Sequence, residues 1–145
     1  MKQEEKELLI KDLCARLPYG VKVESVFINP DTKEHKSCGI EVFDGTSLLM
    51  IRDGLGEFKP YLFPLSSMTE EQWKDLKEYS GFKYDGCLLD LVKYTDSVST
   101  LEFWVEEIPC NMIIRVFDWL NKNRFDYRGL IQLGLANDAT GLGIY

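Results

Sequence analysis

The sequence lacks the residue patterns that mark most metal and nucleophile sites. It has one histidine, and its four cysteines are widely spread, with no Cys-x-x-Cys pair and no cysteine–histidine pairing at zinc-ligand spacing. We therefore expect four reduced thiols and no structural zinc. The histidine, His35, lies in a polar segment between Glu34 and Lys36, where such a side chain is typically solvated rather than held as a general base.

Glycine patterns for phosphate binding are also missing. The pairs Gly54/Gly56 and Gly141/Gly143 form neither a phosphate loop nor a complete dinucleotide-binding motif. The Ser66-Ser67 pair lacks the Gly-x-Ser-x-Gly setting of a hydrolase nucleophile. The sequence therefore predicts no cofactor, no metal ligands and no assignable catalytic residues.

Basic clusters and long apolar runs are absent as well. The 17 basic and 24 acidic residues give a net charge of −7, so we expect no direct nucleic-acid binding, which needs clustered lysine and arginine. No apolar run approaches the roughly 20 residues of a membrane span, and the charged start of the chain does not fit a signal peptide. We expect a cytoplasmic protein with no membrane association.

Apolar and aromatic residues are plentiful in what remains. The 145 residues are 45% hydrophobic and include 8 Phe, 7 Tyr and 3 Trp, which is enough to fill a core. The length fits one domain, and there is no internal repeat or linker to divide it. We therefore predict a single domain over residues 1–145.

Helical periodicity and capping signals predict three to four helices. These are Lys2 to Leu17, Glu70 to Tyr79, Asn111 to Asn123 and a short one from Asp126 to Leu135. Thr69 and Gln72 form a capping box before the second helix, and Gly81 is expected to end it. Asn111 is the expected cap of the third helix. We expect the tail, Asn137 to Tyr145, to dock on the body through its last two residues.

Alternating apolar residues predict a small antiparallel sheet, which makes the fold α+β. The predicted strands are Val21 to Asn29, Cys38 to Phe43, Leu48 to Arg52, Phe58 to Phe63 and Val98 to Ile108. Asp44-Gly45 predicts a tight turn, so the first three strands are expected to form a meander. Pro60 and Pro64 should confine the fourth strand to a sheet edge. The segment Phe82 to Tyr94 fits helix and strand equally well.

Three stretches of the chain have a distinctive amino-acid sequence. They are Leu17 to Val23, Lys59 to Gln72, and Phe125 to Ile131 with the following Gly134-Leu135-Ala136. Together they resemble a family of small uncharacterised proteins found in gut-bacterial genomes, often in prophages and mobile elements. That family has no assigned activity or catalytic motif. The resemblance implies a cytoplasmic, phage-related setting and supplies no functional residues.

Carboxylates are the one chemical group present in excess. The candidates are Asp85, Asp90, Glu102, Glu106, Glu107, Asp118 and Asp126. Two or three of them converging in a pocket would suit a small hydrolase or a metal-dependent enzyme. Glu102 and Glu106 would flank Trp104 on one strand face, which also fits a solvated strand. A second alternative is an acidic inhibitor that mimics nucleic acid, with its acids lining one face.

Two aromatic groups are the preferred candidates for a binding surface. Tyr61 and Phe63 lie in an extended segment between prolines, and Asp126, Tyr127 and Arg128 follow a predicted helix. Tyrosine and arginine are enriched in binding hot spots. The competing interpretation is that the aromatics anchor helices to the sheet, with a helix-capping aspartate and a surface arginine.

The leading functional prediction is a non-enzymatic protein-interaction module of a phage or mobile element. It rests on the missing catalytic patterns and on the resemblance, and it predicts an exposed apolar patch or a free sheet edge. The sequence identifies neither the protein partner nor the oligomeric state.

Overall fold

The computed structural model describes residues 1–82 and 110–145, and within them it confirms the predicted α+β class. The helices are α1 (Gln3–Arg16), α2 (Gly45–Arg52), α3 (Glu70–Ser80) and α4 (Cys110–Lys122). The strands are β1 (Lys22–Ile28), β2 (His35–Val42), β3 (Gly56–Pro64), β4 (Phe125–Asp126) and β5 (Asn137–Asp138). The predictions for residues 83–109 lie outside the described residues, including the strand Val98 to Ile108 and five candidate carboxylates.

The described sheet is mostly antiparallel. Its order is β2-β1-β3-β4, and both β2 and β3 are antiparallel to β1. The short strands β4 and β5 pair in parallel with the end of β3, at Phe63 and Tyr61 respectively. The predicted meander is therefore wrong in its third member, because the strand that follows β2 in the chain pairs with β1 rather than with β2.

The segment predicted as the third strand is the helix α2. The Asp44 carboxylate accepts a hydrogen bond of 2.8 Å from the backbone N–H of Ser47, which makes Asp44 an N-cap rather than a turn residue. Ser47 and Ile51 are both buried, which is the i, i+4 spacing of a helix face. Asp-Gly is compatible with a tight turn and with a helix start, and the contact with Ser47 selects the second.

The prolines do not confine β3 to an edge, because β3 has neighbours on both sides. Pro60 has a registered partner, Val23, on β1 alone. Pairing on the other side of β3 begins only at Tyr61, so Pro60 does not have to donate a hydrogen bond there.

The chain forms two compact units, Met1–Leu62 with Leu130–Tyr145, and Phe63–Gly129. The prediction of a single domain stays a prediction. The hydrophobic cluster of the first unit is made by α1, the sheet, α2 and the segment that begins at Leu130. Its buried members are Leu9, Leu13, Val21, Val23, Phe43, Ile51, Phe58, Leu62, Leu130 and Ala136.

The helix predicted from Asp126 to Leu135 is not formed. Asp126 belongs to β4, and the residues that follow make turns. Gly129 and Gly134 both have a φ of 73°, a left-handed conformation that interrupts a helix. Two glycines in ten residues disfavour a helix here, although the spacing of the apolar residues favours one.

The second unit packs α3 against α4. Thr69 caps α3 as predicted, since its hydroxyl accepts from the Gln72 N–H at 3.2 Å and the Gln72 side chain accepts from the Thr69 N–H at 2.9 Å. Gly81 ends the helix with a φ of 80°. The helix α4 begins at Cys110, so Asn111 is inside the first turn and the prediction that it caps the helix is wrong. The buried core of this unit is Met68, Leu76, Phe82, Ile113, Val116, Trp119, Leu120, Phe125 and Tyr127.

Candidate functional site

The most exposed element of the described sheet is β2. All eight of its residues are exposed, and among the residues that the structure describes the strand pairs with β1 alone. Two large apolar side chains on it, Ile40 and Val42, are 51% and 52% exposed. His35 is exposed as expected, but it begins this strand instead of lying in the preceding loop. The first unit therefore carries a long edge strand with exposed apolar side chains.

A β-bulge divides β2 into two halves. Gly39 is registered with Ser25 of β1, and the next β1 residue, Val26, is registered with Ser37. Cys38 is therefore an extra residue on the β2 side. Gly39 has a φ of 85°, a left-handed conformation that glycine adopts without a steric penalty. The glycine thus permits the bulge in the middle of the exposed strand.

The hydrogen bonds at the two ends of the β1–β2 pair define which backbone groups point outward. The Phe43 N–H donates to the Val21 carbonyl at 2.9 Å, and the Asn29 N–H donates to the Glu34 carbonyl at 2.9 Å. Hydrogen-bonded and non-hydrogen-bonded pairs alternate along an antiparallel ladder, so β1 bonds to β2 through its odd-numbered residues. The β2 residues whose backbone N–H and C=O groups point away from β1 are consequently His35, Ser37, Ile40 and Val42.

The side chains of β2 fall on two faces. Ile40 and Val42 are registered with Glu24 and Lys22, on the face opposite the buried Val23. The side chains of all four residues with outward backbone groups lie on that face. Ser37 and Ile40 are three positions apart, but the extra residue Cys38 between them keeps both side chains on the same face.

The two charged side chains of β2 lie on the other sheet face. Lys36 is registered with Phe27, and Glu41 is registered with Val23. Both are exposed. The strand therefore has a positive charge near its start and a negative charge near its end, on the same face.

The tail contributes contacts on the first unit, as the sequence predicted. The Tyr145 hydroxyl accepts a hydrogen bond of 2.8 Å from the Lys22 N–H and donates one of 2.9 Å to the Tyr61 carbonyl. The Lys22 ammonium donates to the Ile144 carbonyl and lies 5.8 Å from the centroid of the Tyr145 ring. These contacts fasten residues 144–145 beside β1 and β3.

The structure divides the surface predicted from the sequence between the two units. Tyr61 is partly buried in the first unit, where its carbonyl holds Tyr145. Phe63 is partly buried in the second unit, with its ring centroid 6.1 Å from that of Phe125. Their role in binding stays a prediction.

The remaining three residues of that predicted surface follow β4 or belong to it. Asp126 and Tyr127 are buried, at 8% and 7% exposed. The Arg128 guanidinium lies 4.5 Å from the centroid of the Tyr127 ring, which is cation–π geometry. Arg128 is partly buried, and the other two residues are buried. The strand β2 therefore offers more accessible apolar surface than this group.

The candidate carboxylates within the described residues have structural partners. The Asp118 carboxylate accepts a hydrogen bond of 2.6 Å from the Tyr79 hydroxyl, and this bond raises the pKa of Tyr79. Within residues 1–82 and 110–145, no group of three or more His, Cys, Asp or Glu side chains is arranged to hold a metal ion.

A cavity of about 210 Å³ lies in the first unit. Leu9, Phe58 and Leu135 line it, together with Glu24 and Glu57. The Glu24 carboxylate accepts a hydrogen bond of 3.1 Å from the Asn137 side-chain amide. The cavity is thus an apolar recess with two carboxylates among its lining residues.

Comparisons with known proteins give no further assignment. Searches of protein-family profiles, of curated proteins and of solved structures found no match. The resemblance stated from the sequence stays a prediction. None of the helices in the described ranges has the length and apolar character needed to cross a membrane.

Proposed function

We propose that this chain is a non-enzymatic protein-interaction module that binds an extended protein segment along the outer edge of β2. The observation that carries the proposal is the exposure of all eight residues of β2, which among the described residues pairs with β1 alone. An extended segment that adds to such an edge gains main-chain hydrogen bonds, and side chains on alternate positions give selectivity.

The exposed side chains of β2 define the chemistry of the partner strand. Ile40 and Val42 offer apolar contacts on one face, while Lys36 and Glu41 offer opposite charges on the other. A matching segment is extended, apolar at alternate positions on one face, and complementary in charge on the other. Charged side chains on an edge strand also oppose indiscriminate pairing, so they favour one register over others.

The resemblance noted above adds a setting to this proposal. It favours a role in a phage or mobile element, with a partner in the host cytoplasm. The proposed binding surface does not depend on that setting, because it rests on the geometry of β2.

Ser37→Pro tests the proposed surface. The outward N–H of Ser37 does not bond to β1, and the preceding residue is in a strand, which suits proline. The substitution therefore blocks an added strand while keeping the β1–β2 ladder. Ser37→Thr retains the N–H and is the matched control.

The measurement is affinity capture of the tagged chain from its native cytoplasm, with bound proteins identified by mass spectrometry. We expect a stoichiometric protein with the wild type and Ser37→Thr, and its loss with Ser37→Pro. Arg128→Ala tests the surface predicted from the sequence and should leave capture intact. Loss with Arg128→Ala and retention with Ser37→Pro would overturn the proposal.

A further inference from the structure

We infer that the segment added at β2 is β2 of a second copy of this chain, so that the two copies form one continuous sheet across a two-fold axis. This inference rests on the proposed function and names its partner. It comes from the positions of the outward backbone groups, the bulge and the two charges on β2.

The bulge is what makes symmetric pairing consistent. Two antiparallel edge strands related by a two-fold axis normal to the sheet must keep each side chain on its own face. In a regular strand, residues an odd number of positions apart have their side chains on opposite faces. Such residues therefore cannot lie opposite each other across the axis. Cys38 is an extra residue, so Ser37 and Ile40 share a face although they are three positions apart. They can therefore lie opposite each other across the axis.

One register matches all the outward backbone groups. With the axis passing between Cys38 and Gly39, Ser37 of one copy lies opposite Ile40 of the other. In the same register, His35 lies opposite Val42. Every outward-pointing residue then meets an outward-pointing residue, and each such pair exchanges two backbone hydrogen bonds. Shifting one strand by a single residue would place outward groups opposite groups already bonded to β1.

The same register pairs the charges. Lys36 of each copy lies opposite Glu41 of the other, on the face away from Ile40 and Val42. These are non-hydrogen-bonded pairs across the new interface, in which facing side chains are closest. Opposite charges in that position stabilise a sheet, and like charges destabilise it. The strand is thus complementary to itself in charge, which favours a second copy over an unrelated segment.

The long-range charge of the two copies opposes this association. Each copy has a net charge of −7, so the copies repel each other at low ionic strength. At physiological ionic strength the Debye length is about 8 Å, which screens most of this repulsion but leaves the direct pairs at the interface. The association is therefore expected to strengthen as salt rises from low to physiological concentration.

Sedimentation equilibrium of charge variants tests the inference. Lys36→Glu and Glu41→Lys each place like charges opposite each other twice, and each should weaken the dimer roughly tenfold or more. An equimolar mixture of the two variants restores both opposite-charge pairs in a mixed dimer. We expect the mixture to associate when neither variant does alone. Lys11→Glu, an exposed change of the same charge on α1, is the control and should leave the dimer intact.

The outcomes separate this inference from the proposed function. A wild-type chain that stays monomeric up to about 500 μM overturns the second copy as partner. If Ser37→Pro still abolishes capture of another protein, strand addition at β2 stands with a different occupant. If neither charge variant nor Ser37→Pro weakens the dimer, the dimer interface lies on another surface and the inference is overturned.

If the tagged chain also captures its partner when it carries Ser37→Pro, the proposed function fails as well. The mixed dimer is itself proof that both variants are folded.

Discussion

The Arg16 guanidinium donates two hydrogen bonds to the Asp12 carboxylate, at 2.7 and 3.0 Å, and neither side chain is exposed to solvent. The two residues lie one turn apart on α1. Such a buried ion pair need not stabilise a fold more than apolar residues would. Removing one residue of the pair, however, leaves the other charged side chain buried without that ion-pair partner.

Asp12→Ala should therefore lower the free energy of unfolding by about 3–5 kcal/mol. Replacing both residues together, by Asp12→Leu and Arg16→Met, should cost clearly less than the single change. Urea unfolding of the two variants and the wild type gives both values. A single-variant cost below about 1 kcal/mol would contradict a buried pair of this kind.

The cap of α2 makes stability depend on pH. The backbone N–H of Ser47 donates to the Asp44 carboxylate and lowers its pKa. A lowered folded-state pKa contributes stability above the unfolded value of about 3.9, and this contribution is lost as pH falls through the folded value. The advantage of the wild type over Asp44→Asn should therefore shrink from about pH 6 to about pH 3. Parallel stability curves for the two proteins would show that Asp44 does not act through its charge.

The second unit depends on a hydrogen bond between α3 and α4. The Trp119 indole N–H donates to the Asp75 carboxylate at 2.7 Å, and the Trp119 side chain is only 3% exposed. Asp75→Ala leaves that donor without its acceptor and should cost about 1–3 kcal/mol. Asp75→Asn keeps an acceptor oxygen and should cost less, while Lys74→Ala on the exposed side is the control. Equal losses for the three variants in urea unfolding would rule out this explanation.

The tail should protect a backbone amide of β1. The Tyr145 hydroxyl accepts from the Lys22 N–H and bonds to the Tyr61 carbonyl. Tyr145→Phe removes both bonds with little change in shape, and we expect a loss of about 1 kcal/mol. The Lys22 amide should also exchange its hydrogen faster in the variant. Unchanged exchange at Lys22 would indicate that the tail is not held through this hydroxyl.

The elements that were predicted correctly are those whose signals are local. The capping box of Thr69 and Gln72 and the glycine that ends α3 are read from residues close together in the chain. The structure contains both hydrogen bonds of the capping box, and the Gly81 N–H donates to the Lys77 carbonyl at the end of the helix. By contrast, Asp44-Gly45 fits both a hairpin turn and a helix start. Only the contact with Ser47 decides between them. The pairing of β3 with β1 joins residues that are far apart in the chain, from Phe27 with Gly56 to Val23 with Pro60, and no local pattern encodes it.

The candidate site was harder to predict for a related reason. The alternation from Cys38 to Phe43 predicts a strand, but it does not show that the strand lies at an edge. Exposure along the whole of β2 follows from the sheet order, which depends on long-range pairing. The one local signal was Gly39, because a glycine within a strand pattern often marks a bulge.

The most direct test of pairing between the β2 strands of two copies is amide hydrogen exchange of the unmodified chain at low and high protein concentration. The N–H groups of Ser37 and Ile40 point away from β1, whereas that of Glu41 faces β1. We predict that Ser37 and Ile40 exchange rapidly in dilute protein and become protected as concentration rises, while Glu41 is protected throughout. Rapid exchange of Ser37 and Ile40 at every concentration, with Glu41 protected, would contradict pairing of β2 with a second copy.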